Sequence, residues 1–304
     1  MLKQIGPRIF VVTPDDSPRY PYGNCLYVED DIPAVLDLGA GGRAFKEIPC
    51  EKVQLALISH SHFDHLHGDS FFPRAGLYAG KEESKTYSDE NEYLKFHGYE
   101  LWAEMMPGIK RVAFSEVSHL PDDVPVKPGF RYIELAGIFK DRERFHLGKT
   151  EITAIHLPGH TTGHYGFWIE KEGILFSADM DLVVAGPWYS SNSADIGQLI
   201  SSVQRIREIN PGLIVPSHRR LIFDKIEKRL EQYIGVVFKR HERILDLLKE
   251  AHTIDELLEY QMVFHGRRDI YLIFWEKMTL RNHILFLLRE GMVEEVEKGR
   301  YKRC

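Results

Sequence analysis

The stretch His60-Ser61-His62-Phe63-Asp64-His65 places three imidazoles and a carboxylate in one short turn. Imidazole nitrogen and carboxylate oxygen are the donors that a borderline divalent ion such as zinc accepts. His60 and His62 project the same way if the chain stays extended, while Asp64 and His65 come round the bend toward a second point. A polar turn of solvated histidines is the alternative. It sits poorly with so many ligand-type side chains directly after Val53-Gln54-Leu55-Ala56-Leu57-Ile58, an apolar run that reads as a buried strand.

Three further apolar runs end in the same way. Ile152-Thr153-Ala154-Ile155-His156-Leu157-Pro158-Gly159 delivers His160, with His164 close behind; Gly173-Ile174-Leu175-Phe176-Ser177-Ala178 delivers Asp179; Ile214-Val215-Pro216-Ser217 delivers His218. His156 lies within its strand and reads as a packed or hydrogen-bonded histidine. Strands that hand ligands to a common rim point to a metal site, and a pair of ions there would lower the pKa of bound water from ~15.7 toward neutrality. No Gly-x-Ser-x-Gly elbow supplies a nucleophile instead.

Supporting groups lie nearby. Asp37 ends Ala34-Val35-Leu36 and either fixes the tautomer of a ligand histidine or forms the turn Asp37-Leu38-Gly39. Tyr189, in Gly186-Pro187-Trp188-Tyr189-Ser190, is a candidate catalytic hydrogen-bond donor to an oxyanion or leaving group, with packing of Trp188 and Tyr189 as the alternative. Asp181 orients a neighbour or caps that loop. His67 reads as solvent-facing.

The elements that must position these residues divide the chain in two. Residues 8–60 are β-rich, with runs at Arg8-Val12, Asn24-Val28 and Ala34-Leu38. Residues 81–110 read as helical and carry Tyr87, Tyr93, Phe96, His97, Tyr99, Trp102, Met105 and Met106, which could form a lid, a substrate wall or a homodimer face, against simple helix packing. From about residue 226 the periodicity turns helical. Thr253 and Glu256 form a capping box, a last helix starts near Leu280, and Val293–Tyr301 reads as a hairpin. Helices followed by a hairpin predict a C-terminal winged-helix-like domain over 226–304, after a catalytic domain over 1–225.

At 304 residues, with 43% hydrophobic and 28% charged side chains, the chain can bury a full core. A net charge of −6 gives no global pull toward nucleic acid or anionic membrane. The start of the chain lacks the apolar core of a secretory signal, and no run is long enough to span a bilayer. Cys25, Cys50 and Cys304 form no Cys-x-x-Cys pair. A cytoplasmic, reducing location without a membrane partner is the expectation.

The set His60, His62, Asp64, His65, His160, Asp179 and His218, in this order, resembles the metallo-β-lactamase-fold hydrolases. The run His160-Thr161-Thr162-Gly163-His164 looks like that of their glyoxalase II and lactonase-type members, in which the second histidine is not a ligand. The resemblance implies an α+β fold, a four-layer αβ/βα sandwich with the site at one edge. It also implies two divalent ions, zinc before iron or manganese. His60, His62 and His160 would hold the first, and Asp64, His65 and His218 the second. Asp179 would bridge both together with a water or hydroxide, and Asp64 is also a candidate catalytic carboxylate. His62, where flavodiiron oxidoreductases carry glutamate, favours hydrolysis over redox chemistry. The C-terminal pattern resembles the winged-helix appendage of a branch that includes esterase-like members and an endoribonuclease.

A small ester, thioester or lactone is therefore the expected substrate. The alternative is a phosphodiester of RNA or DNA gripped by a basic face of Arg267, Arg268, Lys298, Arg300, Lys302 and Arg303. Acids and bases nearly balance in the C-terminal segment, and the stretches beside the ligands carry only Asp69, Asp181 and Asp195 as charges. A small-molecule substrate is favoured, with nucleic acid not excluded.

Overall fold

The computed structural model describes residues 1–266 and 269–304. A seven-stranded sheet runs β1 (Leu2–Gly6), β2 (Ile9–Val12), β3 (Cys25–Val28), β4 (Ala34–Leu36), β5 (Leu55–Ile58), β6 (Gly76–Gly80), β7 (Gly137–Phe139) in spatial order. A second sheet contains β8 (Arg144–His146), β9 (Glu151–His156), β10 (Tyr165–Ile169), β11 (Ile174–Ala178) and β12 (Leu213–Pro216), in the order β12-β11-β10-β9-β8. The helices are α1 (Gly42–Phe45), α2 (Glu90–His97), α3 (Trp102–Met105), α4 (Phe114–Val117), α5 (Ile196–Ile209), α6 (Ile226–Leu247), α7 (Ile254–Leu258) and α8 (Ile270–Arg289). Strand β1 lies beyond the runs legible in the sequence.

Side-chain alternation decides the layering. Leu57 of β5 and Phe176 of β11 share the central core with Leu36, Phe167 and Val215, so the two sheets pack face to face. Ala56 and Ile58 turn to the other side and pack with Phe45, Phe72 and Tyr87. Leu175 meets Leu199 and Val203 of α5 and Tyr233 and Val237 of α6 on the outer face of the second sheet. The result is a four-layer αβ/βα sandwich with a C-terminal helical region. That region adds its own small sheet, β13 (His252–Thr253), β15 (Arg300–Arg303) and β14 (Val293–Glu297), in the order β13-β15-β14, and among the described residues it contributes no strand to the two large sheets.

Parallel pairing brings the ligand-bearing turns together. β4 and β5 run parallel in the first sheet, and β11 and β12 in the second, so within each pair the carboxyl ends share one edge. Asp37, Ser59, Asp179 and Ser217 are the first residues past those ends.

Helix α8 is buried on more than one face. Tyr271, Phe274 and Met278 pack against Trp102, Met105 and Met106, so much of the aromatic 81–110 stretch is a helix contact. Leu280, Ile284 and Leu287 face Ile244, Leu248 and Leu257. Between α6 and α8, His241 and His283 meet edge-to-face with ring centroids 4.6 Å apart. Burial pushes His241 down to about 4 and His283 well below its ordinary value. Both are therefore neutral in the folded chain, while in the unfolded chain they protonate as pH falls through about 6.5. Unfolding then takes up protons, so stability is retained above about pH 6.5 and falls toward pH 4, by up to about 1.4 kcal/mol per pH unit for each histidine. Urea unfolding at pH 7 and pH 5 should show this loss, and His241→Gln should flatten it; an unchanged slope in that variant would refute the assignment.

Candidate metal centre

Four turns supply the cluster. The turn after β5 carries His60 and His62 and then a short 3₁₀ segment, Phe63–His65, that swings Asp64 and His65 into the same space. The turns after β9, β11 and β12 bring His160, Asp179 and His218. Two glycines permit the close approach. A Cβ on Gly39 would lie 1.7 Å from the Asp64 carbonyl oxygen, and Gly159, at φ +126°, lets the chain pass the backbone of Leu199.

The side chains form two lobes. In the first, His60 Nε2 lies 2.9 Å from His62 Nδ1 and 3.2 Å from His160 Nε2, and His160 Nε2 lies 3.0 Å from His62 Nδ1. Asp179 Oδ2 is 3.2 Å from His160 Nε2. In the second, Asp64 Oδ2 lies 3.2 Å from His218 Nε2, and Asp179 Oδ1 is 3.0 Å from His65 Nε2 and 3.2 Å from His218 Nε2. Each lobe offers donor atoms within 4.8 Å of one another. All seven residues singled out in the sequence are thus brought together, with Asp179 facing both lobes.

The outward ring nitrogens explain the orientation. His160 Nδ1 donates to the Trp188 carbonyl at 2.9 Å and His218 Nδ1 to the Tyr22 carbonyl at 3.0 Å. His65 Nδ1 lies 2.7 Å from Asp37 Oδ2, and His60 Nδ1 lies 3.0 Å from Ser59 Oγ, which itself donates to Asp37 Oδ2 at 2.7 Å. With protons held outward, the Nε2 lone pairs point inward. Both readings of Asp37 hold: its carboxylate orients the histidines, and its left-handed backbone, φ 59°, turns the chain.

The residues fit a pair of cations. Burial pushes His60, His62 and His160 below the ordinary imidazole value, so they are neutral donors. Their lone pairs then face one another at hydrogen-bond distance with no proton between them, a repulsion that a cation relieves. Burial alone would also depress His65 and His218, but Asp179 with Asp37, and Asp179 with Asp181, outweigh it and hold both above the usual range. The second lobe therefore demands positive charge. His65 Nε2 and Asp179 Oδ1 lie 3.0 Å apart, yet neither buried atom makes an aligned hydrogen bond, which suits atoms aimed at a shared ion.

Other sequence readings fare differently. His164 donates Nδ1–H to the Leu157 carbonyl at 2.9 Å and accepts Asp179 N–H at Nε2 at 3.1 Å, so it supports the Asp179 backbone. Asp181 accepts His218 N–H at 3.0 Å, which makes it an orienting residue. Tyr189 is buried, its hydroxyl 3.0 Å from His283 Nε2 and 2.7 Å from Arg240 Nη1, partners that lie outside the cluster. His67 is a correction. It is fully buried, with Nε2 3.0 Å from the Pro21 carbonyl, because the 20–22 segment folds over the turn.

Two participants escaped the sequence reading. His97 stacks on His62 at 5.6 Å, and only its place in an aromatic stretch hinted at this. Glu83 is buried and accepts Ser61 N–H at 2.9 Å, Gly163 N–H at 2.6 Å and the Thr161 hydroxyl, clamping the two histidine turns together. Its run Lys81-Glu82-Glu83-Ser84-Lys85 carries no signal beyond a charged surface. Glu83→Ala would strand three buried donors, at a cost of about 3 kcal/mol or more. Denaturant unfolding should show a loss of that size, and a change below ~1 kcal/mol would contradict the clamp.

A two-sheet sandwich with a paired His/Asp cluster on its edge defines a class of metal-dependent hydrolase folds. Residues 21–218 match the metallo-beta-lactamase superfamily, and the chain belongs to it. The beta-lactamase-like protein 2 homolog of Caenorhabditis elegans is 30% identical over 124 residues, 38% of this chain and 40% of the relative. An acyl-coenzyme A thioesterase of Homo sapiens is 26% identical over 145 residues, 45% of each chain. A hydroxyacylglutathione hydrolase of Methylococcus capsulatus is 34% identical over 70 residues, 23% of this chain and 27% of the relative. The matched stretches span less than half the length of these curated relatives. In structure, a metallo-beta-lactamase family protein from Thermus thermophilus superposes with a TM-score of 0.77 at 21% identity, covering 99% of this chain and 100% of that one. A beta-lactamase domain protein from Burkholderia ambifaria gives 0.70 at 19% identity, covering 100% and 94%. At such identities the likeness speaks for the fold alone. Family and cluster together support a metal-binding member of this superfamily.

Proposed function

We propose that the protein hydrolyses small acyl thioesters or esters, lactones included, using two divalent ions, zinc before iron or manganese. The observation that carries this reading is the two-lobed cluster joined by Asp179. His60, His62 and His160 would hold one ion, Asp64, His65 and His218 the other, and Asp179 both. When bound, such ions make water acidic enough to attack at neutral pH and polarise the acyl oxygen. Water would supply oxygen to the acyl carbon, the carbon–sulfur or carbon–oxygen bond would break, and the thiol or alcohol would leave with a proton.

The chain's own residues do the rest. Asp37 and Ser59 lock His60 and His65. Asp64 is the carboxylate we assign to orienting the attacking water. His97, Phe96 and the Tyr20–Phe63 pair form an aromatic wall beside His62 and the 63–65 turn that would exclude bulk water and seat an acyl group. Residues 1–225 carry every proposed ligand, and residues 226–304 buttress the 186–191 loop, where Asn282 Nδ2 donates to the Tyr189 and Ser191 carbonyls at 2.9 Å each. Tyr189 receives no proton-transfer role.

Thioesters are favoured because two of the relatives are, by their names, an acyl-coenzyme A thioesterase and a hydroxyacylglutathione hydrolase. The nucleic-acid alternative has weaker support. Of the expected basic face, Arg267 and Arg268 lie outside the described residues, Arg300 pairs with Glu256 at 2.7 Å, and Lys302 lies in register with Glu294 across the hairpin. No helix among the described residues is long and apolar enough to cross a membrane.

Short acyl thioesters, lactones, bis-p-nitrophenyl phosphate and single-stranded RNA, compared side by side with His62→Ala as the blank, should show metal-dependent acyl hydrolysis. RNA cleavage that falls steeply with salt, without acyl hydrolysis, would overturn the proposal.

A further inference from the structure

A cavity of about 590 Å³ opens between the 181–188 loop, α6 and the 262–265 turn. Asp181 lines its inner wall, and the Asp181 carboxylate groups with Asp179 and His218 within 4.8 Å. The cavity therefore adjoins the metal centre. Trp188 and Phe264 meet edge-to-face at 5.5 Å and, with Met262, form its apolar part. The turn that carries Phe264 is anchored by buried Glu276, which accepts Val263 N–H at 3.0 Å and Phe264 N–H at 2.9 Å. This wall is built, and not a chance gap between elements.

Lys239, Arg240 and Arg243 also line the cavity, brought to one side of α6 by three- and four-residue spacing. Among the described residues none of the three pairs with a carboxylate. Arg240 donates to the Tyr189 hydroxyl and the Ala185 carbonyl, and Arg243 to the Tyr260 carbonyl, all neutral acceptors. A second large groove, about 660 Å³ between α5 and the end of α8, is different. There Arg205 pairs with Asp141 at 2.9 Å and Arg289 with Asp195 at 2.7 Å. Cations left without counter-charge beside a reaction centre raise the local concentration of anions and favour binding one.

We propose that this cavity receives the leaving-group arm of the substrate, and that Lys239, Arg240 and Arg243 bind an anion carried on that arm, a phosphate or a carboxylate. The proposal rests on the thioester reading above and assigns the two halves of the substrate to different walls. The acyl half meets the aromatic wall beside His62, and the thiol half runs past Trp188 toward α6.

The test compares one acyl group on three thiols: coenzyme A, which bears phosphates, glutathione, which bears carboxylates, and uncharged N-acetylcysteamine. In Lys239→Ala/Arg243→Ala the preference for the charged over the uncharged thioester, as a ratio of kcat/KM, should fall roughly tenfold or more, mainly through KM. The charged thiol whose ratio falls identifies the anion. Lys228→Ala, an exposed cation of α6 outside the cavity, should leave the ratios alone. Ratios within about twofold of wild type for both charged thioesters would overturn the proposal. If wild type hydrolyses none of the three, the thioester reading falls, and calorimetric titration with coenzyme A and glutathione decides the cavity's role. Salt-sensitive binding lost in the double variant would support an anion site, and absence of binding to wild type would overturn it.

Discussion

Asp179→Ala should abolish most of the hydrolytic activity, by on the order of a thousandfold, since a metal ion contributes several kcal/mol to the transition state. Asp179 is the one proposed ligand whose two oxygens serve different lobes, Oδ2 toward His160 and Oδ1 toward His65 and His218. Its loss should also lower metal content, because the second lobe then keeps a single carboxylate, Asp64, against two histidines. The fold should survive: Asp179 lies past the end of β11, and its backbone N–H still reaches His164. Steady-state rates on the best acyl substrate, with metal analysis of the same preparation, check this. Activity within tenfold of wild type would remove Asp179 from the centre of the account.

Asp37→Asn should weaken metal binding by about 10- to 100-fold, although Asp37 is no proposed ligand. Its carboxylate accepts from three donors: Ser59 N–H at 2.7 Å, Ser59 Oγ–H at 2.7 Å and His65 Nδ1 at 2.7 Å. An asparagine offers one oxygen and turns an NH₂ group against the remaining donors. It nevertheless tolerates the left-handed backbone at this position, where φ is 59°. The substitution thus isolates the lost acceptor from backbone strain. His60, held through Ser59, and His65 lose their orientation together, so both lobes should weaken. Competition with a chromophoric chelator measures the affinity, and wild-type affinity in the variant would show that Asp37 only forms a turn.

The ligands were legible because each follows an apolar strand, and strand ends are short-range patterns. His60, His62, Asp64 and His65 sit in one turn, and His160, Asp179 and His218 each come one to four residues past a strand. The long-range partners were not legible. Glu83 looks like any surface acid until the 161–163 turn closes on it. His67 read as exposed because nothing local announces that Pro21 will cover it. Tyr189, placed near the centre by its sequence distance from Asp179, finds its hydroxyl partners on α6 and α8, at Arg240 and His283. Turn chemistry is local, whereas the direction of a buried side chain is decided by elements far along the chain.

The central claim is a two-ion centre, and metal stoichiometry tests it most directly. Chelator-stripped protein titrated with zinc and followed by calorimetry and elemental analysis should take up close to two ions per chain. His60→Ala and His218→Ala should each reduce that number toward one, because they belong to different lobes. A single equivalent in the wild type, unchanged by either variant, would contradict the account.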